Sequence, residues 1–331
     1  MRLVTPGRLL VLGVILFAVA LGLYVYPSND YIFLPDRAHP VAPLVTVQGG
    51  KDPTKGGVYF VDVVERKATV LEKLFGGLHK GADLYPASAV NPPGTNDAQR
   101  RQIDLQDMAH SQQIAAAVAL KAAGKKVVIR PTGALIDEVV GDQPAAGKLR
   151  PGDVIVAVDG TRVQSTEDLA TEMRKHKIGE DVTFTVRRGK QTTKETMRTV
   201  ASLDKPKHAV VGIVVEPSVD VQLPLSVSIN ARGVGGPSAG LAFALDVMQE
   251  LGHDVIHGHK IAATGEIFPD GSVGPIGGIK QKVIGARDAG VDAFLVPAGD
   301  NARYAKAHAE GLKIIPVESF PQALHALATL R

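Results

Sequence analysis

The sequence has no cysteine among its 331 residues. This absence excludes thiol catalysis and cysteine-ligated zinc, and it leaves the redox compartment undetermined. The sequence also lacks a Gly-x-x-x-x-Gly-Lys-Ser/Thr phosphate-binding loop, so it shows no ATPase motor, and we expect no cofactor. Long basic runs are absent as well, because lysine and arginine exceed aspartate and glutamate by only 37 − 34 = 3 residues. Nucleic acid is therefore not an expected partner.

The length and the hydrophobic content are those of a folded protein. A chain of 331 residues can bury a sizeable core and accommodate two domains. The hydrophobic fraction of 45% is ordinary for such a protein.

An apolar run occupies residues 9–26, which are 18 uncharged positions. This length is just sufficient for a helix to cross a bilayer. Arg2 and Arg8 precede the run, whereas Asp30 and Asp36 follow it. The positive-inside rule then predicts a single-pass cell-membrane protein, with a cytoplasmic N-terminus and the remainder outside the cytoplasm.

The alternative for the same run is a cleaved signal peptide. Residues 18–20, Ala-Val-Ala, resemble a small-residue cleavage site. The apolar run continues beyond them to Val25, which is further than secretion requires, so we favour the uncleaved anchor. Both interpretations place the body of the protein outside the cytoplasm.

The segment that follows shows weaker patterns. Four prolines predict a tether over residues 27–43, and strand-like runs follow at residues 44–47 and 57–64. Residues 86–97 are rich in Pro, Gly and Asn and predict a surface loop. Residues 98–123 contain neither Pro nor Gly and predict a helix, in one piece or in two.

Residues 125–200 have a different character. Residues 144–160 read Pro-Ala-Ala-Gly-x-Leu-x-x-Gly-Asp-x-Ile-x-x-Val-Asp-Gly, and residues 167–176 predict a helix capped by Ser165 or Thr166. This segment resembles a PDZ domain of the kind found in bacterial periplasmic proteases.

The PDZ resemblance implies a peptide-binding site. In that family, a Gly-hydrophobic-Gly-hydrophobic loop offers backbone N–H groups to the C-terminal carboxylate of a peptide, which adds a strand to the sheet edge. The corresponding loop in this sequence would be Thr132, Gly133, Ala134, Leu135 and Ile136. Leu135 stands where the second glycine usually does, so the alternative is a PDZ-shaped spacer that binds no peptide.

The strongest local signal lies in the last third of the chain, where strand and helix patterns alternate. A strand at residues 225–229 and a glycine run at residues 233–236 precede Pro-Ser-Ala-Gly at residues 237–240. Apolar residues at i, i+3 and i+4 spacing then predict a helix over residues 239–251. Ser238 therefore lies beside the unpaired N–H groups of a first helical turn, which can stabilise a developing oxyanion.

A serine nucleophile needs a base, and a neutral lysine amine can serve. Because burial must lower the pKa of lysine before its amine is neutral, the useful lysine should lie on the inward face of a helix. Lys282 shares its helical face with small residues that permit close packing, whereas the face of Lys280 reaches the charged Arg287. The spacing favours Lys282, and a solvated lysine is the alternative for either position.

Three motifs, in this order, resemble the proteolytic domain of Lon proteases. They are Gly-Pro-Ser-Ala-Gly at residues 236–240, Thr-Gly-Glu at residues 264–266 and Pro-Ile-Gly-Gly-Ile-Lys-x-Lys at residues 275–282. Together with the apolar N-terminal run and the PDZ-like segment, they are similar to the membrane-anchored, ATPase-free, Lon-like PDZ endopeptidases.

This resemblance implies an α+β fold class: a Lon-type proteolytic domain with an inserted or adjoining PDZ domain, preceded by one transmembrane helix. Four segments are expected. They are residues 1–28 for the cytoplasmic stub and transmembrane anchor, 29–124 for the N-terminal part of the proteolytic region, 125–200 for the PDZ domain, and 201–331 for the catalytic domain.

The resemblance also implies roles for side chains. Ser238 would be the nucleophile and Lys282 the general base, because the catalytic lysine of the family falls on the later position of the Gly-Gly-x-x-x-Lys pattern. Thr264 would hydrogen-bond the lysine amine and orient it.

Backbone groups around Gly236, Pro237 and Ala239 would form the oxyanion hole. The sequence departs from the family pattern next to them. Lon proteases that carry the motor often have an acidic residue three positions before the serine, whereas this sequence has Gly235. The departure makes the loop more flexible and leaves the two proposed catalytic residues in place.

The predicted function is ATP-independent serine endopeptidase activity on extracytoplasmic proteins. Without an unfolding motor, the enzyme should take flexible or already unfolded segments, with the PDZ domain serving recognition or regulation. We expect no metal requirement. Lon relatives suggest a ring, so the sequence leaves a homo-oligomer and a monomer both open.

Two other functions fit parts of the sequence. Residues 236–240 also satisfy the Gly-x-Ser-x-Gly nucleophile elbow of α/β-hydrolases, and Asp292 or Asp300 followed by His325 supplies that fold's Ser–acid–His order. Such an esterase is disfavoured because the PDZ-like segment and the anchor occupy the space of its early strands. A non-catalytic PDZ scaffold is disfavoured because the catalytic motifs are intact.

Overall fold

The structure is a computed structural model that describes residues 6–51, 55–76, 78–91, 96–202 and 205–330. Arg2, one of the two arginines on which the predicted membrane orientation depends, lies outside the described residues. Residues 92–95 of the loop predicted at 86–97 also lie outside them.

The apolar run forms helix α1 (Pro6–Val25). Its stretch Gly7–Val25 has a mean hydropathy of 2.4 and is long and apolar enough to cross a membrane. None of that stretch is buried inside the protein, unlike the core helix of a soluble domain. Signal sequences near an N-terminus share this length and composition.

The rest of the N-terminal region consists of short strands and helices around one long helix. In chain order these elements are β1 (Pro27–Pro35), β2 (His39–Pro40), β3 (Val45–Val47), β4 (Gly57–Phe60), β5 (Val63–Thr69), α2 (Val70–Leu74), β6 (Asp83–Pro86), α3 (Ala87–Val90) and α4 (Asp97–Ala122). Strand β1 lies between β5 and β6 in an antiparallel sheet.

Three predictions for this region are wrong. The tether over residues 27–43 is largely strand β1, whose two prolines stand at its ends, where proline is tolerated in sheets. The strand-like run 57–64 is two strands, β4 and β5, with a break at Asp62. Part of the loop predicted at 86–97 is the short helix α3. The helix predicted at 98–123 is present in one piece as α4, capped by Asn96.

The PDZ-like segment forms an antiparallel sheet. In chain order its elements are β7 (Val128–Val139), β8 (Val154–Val158), β9 (Thr161–Arg162), α5 (Thr166–Met173), β10 (Asp181–Arg188), β11 (Gln191–Arg198), β12 (Val200–Ala201), β13 (Ala209–Val210) and β14 (Ile213–Gln222). The order across the sheet is β11-β10-β8-β7-β14, and β9 pairs with β8. Alternate residues of β10, such as Phe184, are fully buried in a core that also contains Leu169 of α5, as the period of a half-buried strand requires.

The last third of the chain alternates strands and helices. Its elements are β15 (Val227–Ile229), α6 (Gly240–Glu250), β16 (Lys260–Ala263), β17 (Glu266–Ile267), β18 (Val273–Gly274), α7 (Ile279–Asp288), β19 (Ala293–Pro297), α8 (Asp300–Ala307), β20 (Lys313–Val317) and α9 (Phe320–Ala328). Strands β4, β16, β19 and β20 form a parallel sheet with β2 at its edge. Strand β4 precedes the PDZ-like sheet in the chain and β16 follows it, so both parts build one sheet.

Helix α6 is the centre of the core, and every one of its residues is buried. It packs against α4 and strand β4. A Cβ atom at Gly240 would lie 2.7 Å from the Ser111 hydroxyl oxygen of α4 and 2.9 Å from Ile267 of β17. Only glycine fits this close approach, which places the start of α6 against both elements. The predicted mixture of helix and strand is confirmed.

Candidate active site

Ser238, Thr264 and Lys282 meet at one point in the structure. The Lys282 amine lies 2.7 Å from the Ser238 hydroxyl oxygen and 3.3 Å from the Thr264 hydroxyl oxygen. The Thr264 hydroxyl donates to the backbone carbonyl of Ser238 at 3.1 Å. The lysine side chain is 4% exposed and Thr264 is fully buried, so solvent has little access to the contact between these two side chains.

Three local structures hold these side chains. Ser238 lies in a 3-10 turn (Pro237–Ala239) directly before α6, and the turn is opened by Gly236 at φ +80°. Thr264 follows β16, and the next amide, that of Gly265, donates to the Ser238 carbonyl at 2.8 Å. Lys282 lies in the first turn of α7, on the face that packs into the core.

Burial lowers the pKa of Lys282 to about 8, from its ordinary value of 10.5. The opposing influence is the nearby Asp62 carboxylate, which raises the lysine pKa. Asp62 stands at the carboxyl end of β4, and Thr264 follows the end of the adjacent parallel strand β16. Asp62 is not among the residues that the sequence patterns predicted for this site. The signal that would have found it is a charged residue ending a strand of otherwise apolar residues.

Asp62 belongs to a small group of polar side chains. The His39 ring nitrogen Nε2 lies 3.4 Å from Asp62 and 3.3 Å from Asp36. Potential ligand atoms of these three residues lie within 4.8 Å of one another, a spacing that a metal ion would also accept. The pairing of imidazole with carboxylates accounts for the grouping without an ion.

Lys280 faces away from Ser238. Its amine pairs with the Asp83 carboxylate and also donates to the Ala82 carbonyl at 3.2 Å, in the segment that leads into β6. The two lysines of the motif therefore have different environments, one ion-paired and partly exposed, the other buried.

The oxyanion-hole prediction is wrong for two of its three positions. The amide of Gly236 donates to the Asp104 carbonyl of α4 at 2.8 Å, and Pro237 has no N–H to donate. The amides of Ser238 and Ala239 remain as candidates, because both lie in the turn at the start of α6.

The presence of glycine, rather than an acidic residue, at position 235 also has a structural reason. A Cβ atom at this position would lie 2.7 Å from the Cβ atom of Asp104. Helix α4 thus occupies the space that an acidic side chain at position 235 would take. Asp104 lines the same cleft as Ser238, and burial raises the pKa of its carboxyl group.

An open cleft of about 690 Å³ passes the Ser238 hydroxyl and the Lys282 amine. The cleft is lined by the glycine run 233–236, by the segment 275–278 and by charged side chains of α4 such as Arg100 and Arg101. A cleft of this volume has room for a peptide segment next to the serine.

Four carboxyl groups gather where the PDZ-like sheet meets the catalytic core. They belong to Asp107 of α4, Asp137 of β7, Glu216 of β14 and Glu266 of β17. Burial, and then mutual repulsion, raises the pKa of Glu266 to about 8 and those of Glu216 and Asp107 to about 7. Near neutral pH some of these carboxyl groups therefore keep a proton, which lessens the repulsion among them. Glu266 lies two residues after Thr264 in the chain.

The predicted peptide-binding loop, Thr132, Gly133, Ala134, Leu135 and Ile136, is not a loop. All five residues lie inside β7, which is paired with β14 on one side and β8 on the other. The amide of Gly133 donates to the Gln164 carbonyl, and that of Ile136 donates to the Asp153 carbonyl. The prediction is wrong because no N–H of this stretch faces an open sheet edge.

One edge of this sheet is β14, the last strand of the segment in chain order, and the other edge is β11. A cavity of about 450 Å³ lies between the start of β14 and α5, lined by apolar side chains that include Leu169, Met173 and Ile213. Gly212 precedes the strand with φ +80°, and a Cβ atom there would lie 2.2 Å from Gln143. The sequence signal was present as Val-Gly-Ile at residues 211–213.

The residues of the esterase alternative are not brought together. His325 is exposed on α9, and Asp292 accepts the Lys260 amide at the other end of the parallel sheet. The side chain placed within hydrogen-bonding distance of the Ser238 hydroxyl is that of Lys282.

The fold and the cleft thus define an α+β protein in which a serine at a helix N-terminus faces a buried lysine. Residues 164–329, half of the chain, match the Lon protease (S16) C-terminal proteolytic domain, and residues 103–199 match a PDZ domain. The chain therefore belongs to the Lon protease family.

Individual proteins are similar to parts of this chain. A Lon protease of Citrifermentans bemidjiense is 32% identical over 185 residues, 54% of this chain and 22% of that protein. Lon protease 1 of Sorangium cellulosum is 33% identical over 141 residues, 42% of this chain and 17% of that protein. The chain thus spans less than a quarter of these relatives. The PDZ domain of an SdrC-like protein of Listeria innocua is 26% identical, covering 25% of this chain and 93% of that chain with a TM-score of 0.24.

Proposed function

We propose that this protein is a serine endopeptidase that works without ATP, with Ser238 as nucleophile and Lys282 as general base. The observation that carries the proposal is the 2.7 Å contact between the Ser238 hydroxyl and a lysine amine that is 4% exposed. A serine hydroxyl is a weak nucleophile, and a desolvated neutral amine at this distance can remove its proton.

The proposed reaction has two steps. The Lys282 amine takes the proton of Ser238 as the oxygen attacks the scissile carbonyl, and the resulting ammonium then protonates the leaving amine. The acyl-enzyme ester is hydrolysed by water, with Lys282 again as the base. Thr264 holds the amine in place, and the amides of Ser238 and Ala239 stabilise the oxyanion.

The proposed location of the enzyme rests on helix α1. We propose that α1 is an uncleaved anchor with its N-terminus in the cytoplasm, and that the sheets lie outside the cytoplasm. The pairing of β4 with β16 supports a proteolytic domain into which the PDZ domain is inserted. Substrates would be flexible or unfolded segments, because an ATPase motif is absent from the sequence and nothing would unfold a stable domain.

The rate of hydrolysis is expected to rise with pH because only the neutral lysine amine is a base. With a pKa of about 8 for Lys282, log kcat/KM should climb with unit slope below that pH and level off above it. The assay uses the full chain in detergent, with fluorescent casein, EDTA and no nucleotide.

A substitution at Asp62 tests whether the midpoint of this pH profile belongs to Lys282. Asp62→Asn removes the negative charge that raises the lysine pKa, so the midpoint of the profile should move to lower pH. Hydrolysis that requires nucleotide or a metal ion, or a rate independent of pH across this range, would contradict the proposal.

The cavity beside α5 is proposed to bind a peptide C-terminus as an added strand on β14. Ala170 is exposed on α5 and lines this cavity, whereas its neighbour Thr171 is equally exposed and does not. Ala170→Arg should fill the cavity and weaken binding by about tenfold or more, a loss of roughly 1.4 kcal/mol. Thr171→Arg should bind as the wild type does.

The measurement is fluorescence polarisation of a labelled peptide that ends in an apolar residue with a free carboxylate. An amidated version of the same peptide controls for recognition of the terminus. Equal affinity of the two helix variants would show that the peptide binds elsewhere.

A further inference from the structure

Three large apolar side chains are exposed together at the end of α2 and in the turn that follows it. Leu74, Phe75 and Leu78 are 61%, 58% and 52% exposed, and the Leu78 amide donates to the Phe75 carbonyl at 3.0 Å, which closes the turn. We call these three residues the apolar patch. Scattered exposed apolar residues need no explanation, but a cluster of this kind marks a contact surface.

The apolar patch lies beside the end of α1. The amide of Val70, the first residue of α2, donates to the Tyr26 carbonyl at 2.9 Å, and Pro27 pairs with Thr69. Helix α2 packs against α1, and Leu23 is half-buried although its neighbours on α1 are exposed. The turn that carries the patch is therefore held next to the last turn of α1.

The last turn of α1, beside the apolar patch, is also where the bilayer would end. At 1.5 Å per residue, the 20 residues of α1 span about 30 Å, which matches the hydrocarbon thickness of a bilayer. Tyr24 and Tyr26 stand at this end of the helix, and tyrosine is enriched at membrane–water boundaries. The boundary therefore falls at the height of α2.

We propose that the apolar patch inserts into the interface of the bilayer that α1 crosses, on the side of the catalytic core. This inference rests on the proposed anchor. Two lysines flank the patch. Lys73 is half-exposed and its amine pairs with Asp30 at 3.0 Å, whereas Lys80 is exposed, so anionic headgroups would be favoured neighbours of Lys80.

The consequence is a second attachment point for the enzyme. A single helix leaves the attached domain free to rotate and tilt, whereas two points along one boundary restrict both motions. The strand β1 that leaves α1 also contacts α7, the helix that carries Lys282. The patch thus sets the orientation of the active-site cleft relative to the membrane.

The sequence contains no tryptophan, so a single introduced tryptophan reports on its own position. The full chain is reconstituted into vesicles of phosphatidylglycerol and phosphatidylcholine, with the phosphatidylcholine brominated on its acyl chains. Three variants are compared: Phe75→Trp in the patch, Tyr24→Trp at the end of α1, and Tyr304→Trp, which is exposed on α8.

Brominated lipid is expected to quench Phe75→Trp to an extent comparable with Tyr24→Trp, and to leave Tyr304→Trp unchanged. Adding Leu74→Ser and Leu78→Ser to Phe75→Trp should reduce the quenching, because the insertion of the turn loses two apolar anchors.

Quenching of Tyr24→Trp without quenching of Phe75→Trp would overturn the inference while leaving the anchor intact. A Phe75→Trp emission that is shifted to shorter wavelength equally in detergent and in vesicles, without quenching, would assign the patch to a protein contact and also overturn it. Absence of quenching at Tyr24→Trp would refute the anchor itself, and the inference with it.

Discussion

Ser238→Ala is expected to abolish peptide hydrolysis, with a loss in kcat on the order of 10⁶-fold, as found when a serine nucleophile is removed. The neighbouring hydroxyl cannot substitute, because Thr264 is fully buried and donates to the Ser238 carbonyl at 3.1 Å. The measurement is the initial rate of casein hydrolysis by the full chain in detergent.

Two controls accompany this variant. Ser238→Ala removes one half-buried oxygen, so its melting temperature should stay close to that of the wild type. His325→Ala should retain full activity because His325 is exposed on α9. If Ser238→Ala remained active, or if His325→Ala were inactive, the proposed nucleophile or the proposed base would have to be abandoned.

Lys282→Met is expected to lower kcat by roughly 10²–10⁴-fold, the usual contribution of a general base. Methionine has a similar length and keeps the apolar contacts of the buried stem, so the loss reports on the amine. The matched control is Lys280→Met, two residues earlier on α7, whose amine pairs with Asp83 and should be dispensable for the reaction. If Lys280→Met were inactive and Lys282→Met active, the role of general base would belong to Lys280.

The same pair of variants also tests the burial of Lys282. Its folded pKa of about 8 lies below the ordinary value of 10.5, so the unfolded state binds more protons between these two pH values. The free energy of unfolding of the wild type should therefore rise with pH through this window. Lys282→Met lacks this dependence and should melt at or above the wild-type temperature at pH 7, since it buries no amine.

Local patterns indicated Ser238 and Lys282 as candidates, and the resemblance to Lon proteases implied their roles and that of Thr264. The position of Ser238 followed from a turn and an apolar periodicity within about fifteen residues of it, and the choice of Lys282 followed from which neighbours share its helical face. Both arguments use contacts between residues close in sequence, which the period of a helix determines.

Those local patterns do not indicate which strands pair with each other. The stretch 27–35 resembled a tether because its partners, β5 and β6, come more than twenty-five residues later in the chain. The peptide-binding loop was placed on β7 rather than at β14 because sequence order does not indicate which strand occupies a sheet edge. A strand acquires its role only when its neighbours are known.

The sequence by itself determined which serine and which lysine are the candidates and which helices present them, since these helices depend on local periodicity and on glycine conformation. Only the tertiary structure decided which groups surround them. Asp62 lies beside the lysine, Asp104 occupies the space next to Gly235, and the Asp104 carbonyl accepts the hydrogen bond of the Gly236 amide. These contacts join segments more than a hundred residues apart. Their geometry depends on how sheets and helices pack in three dimensions, which no local period encodes.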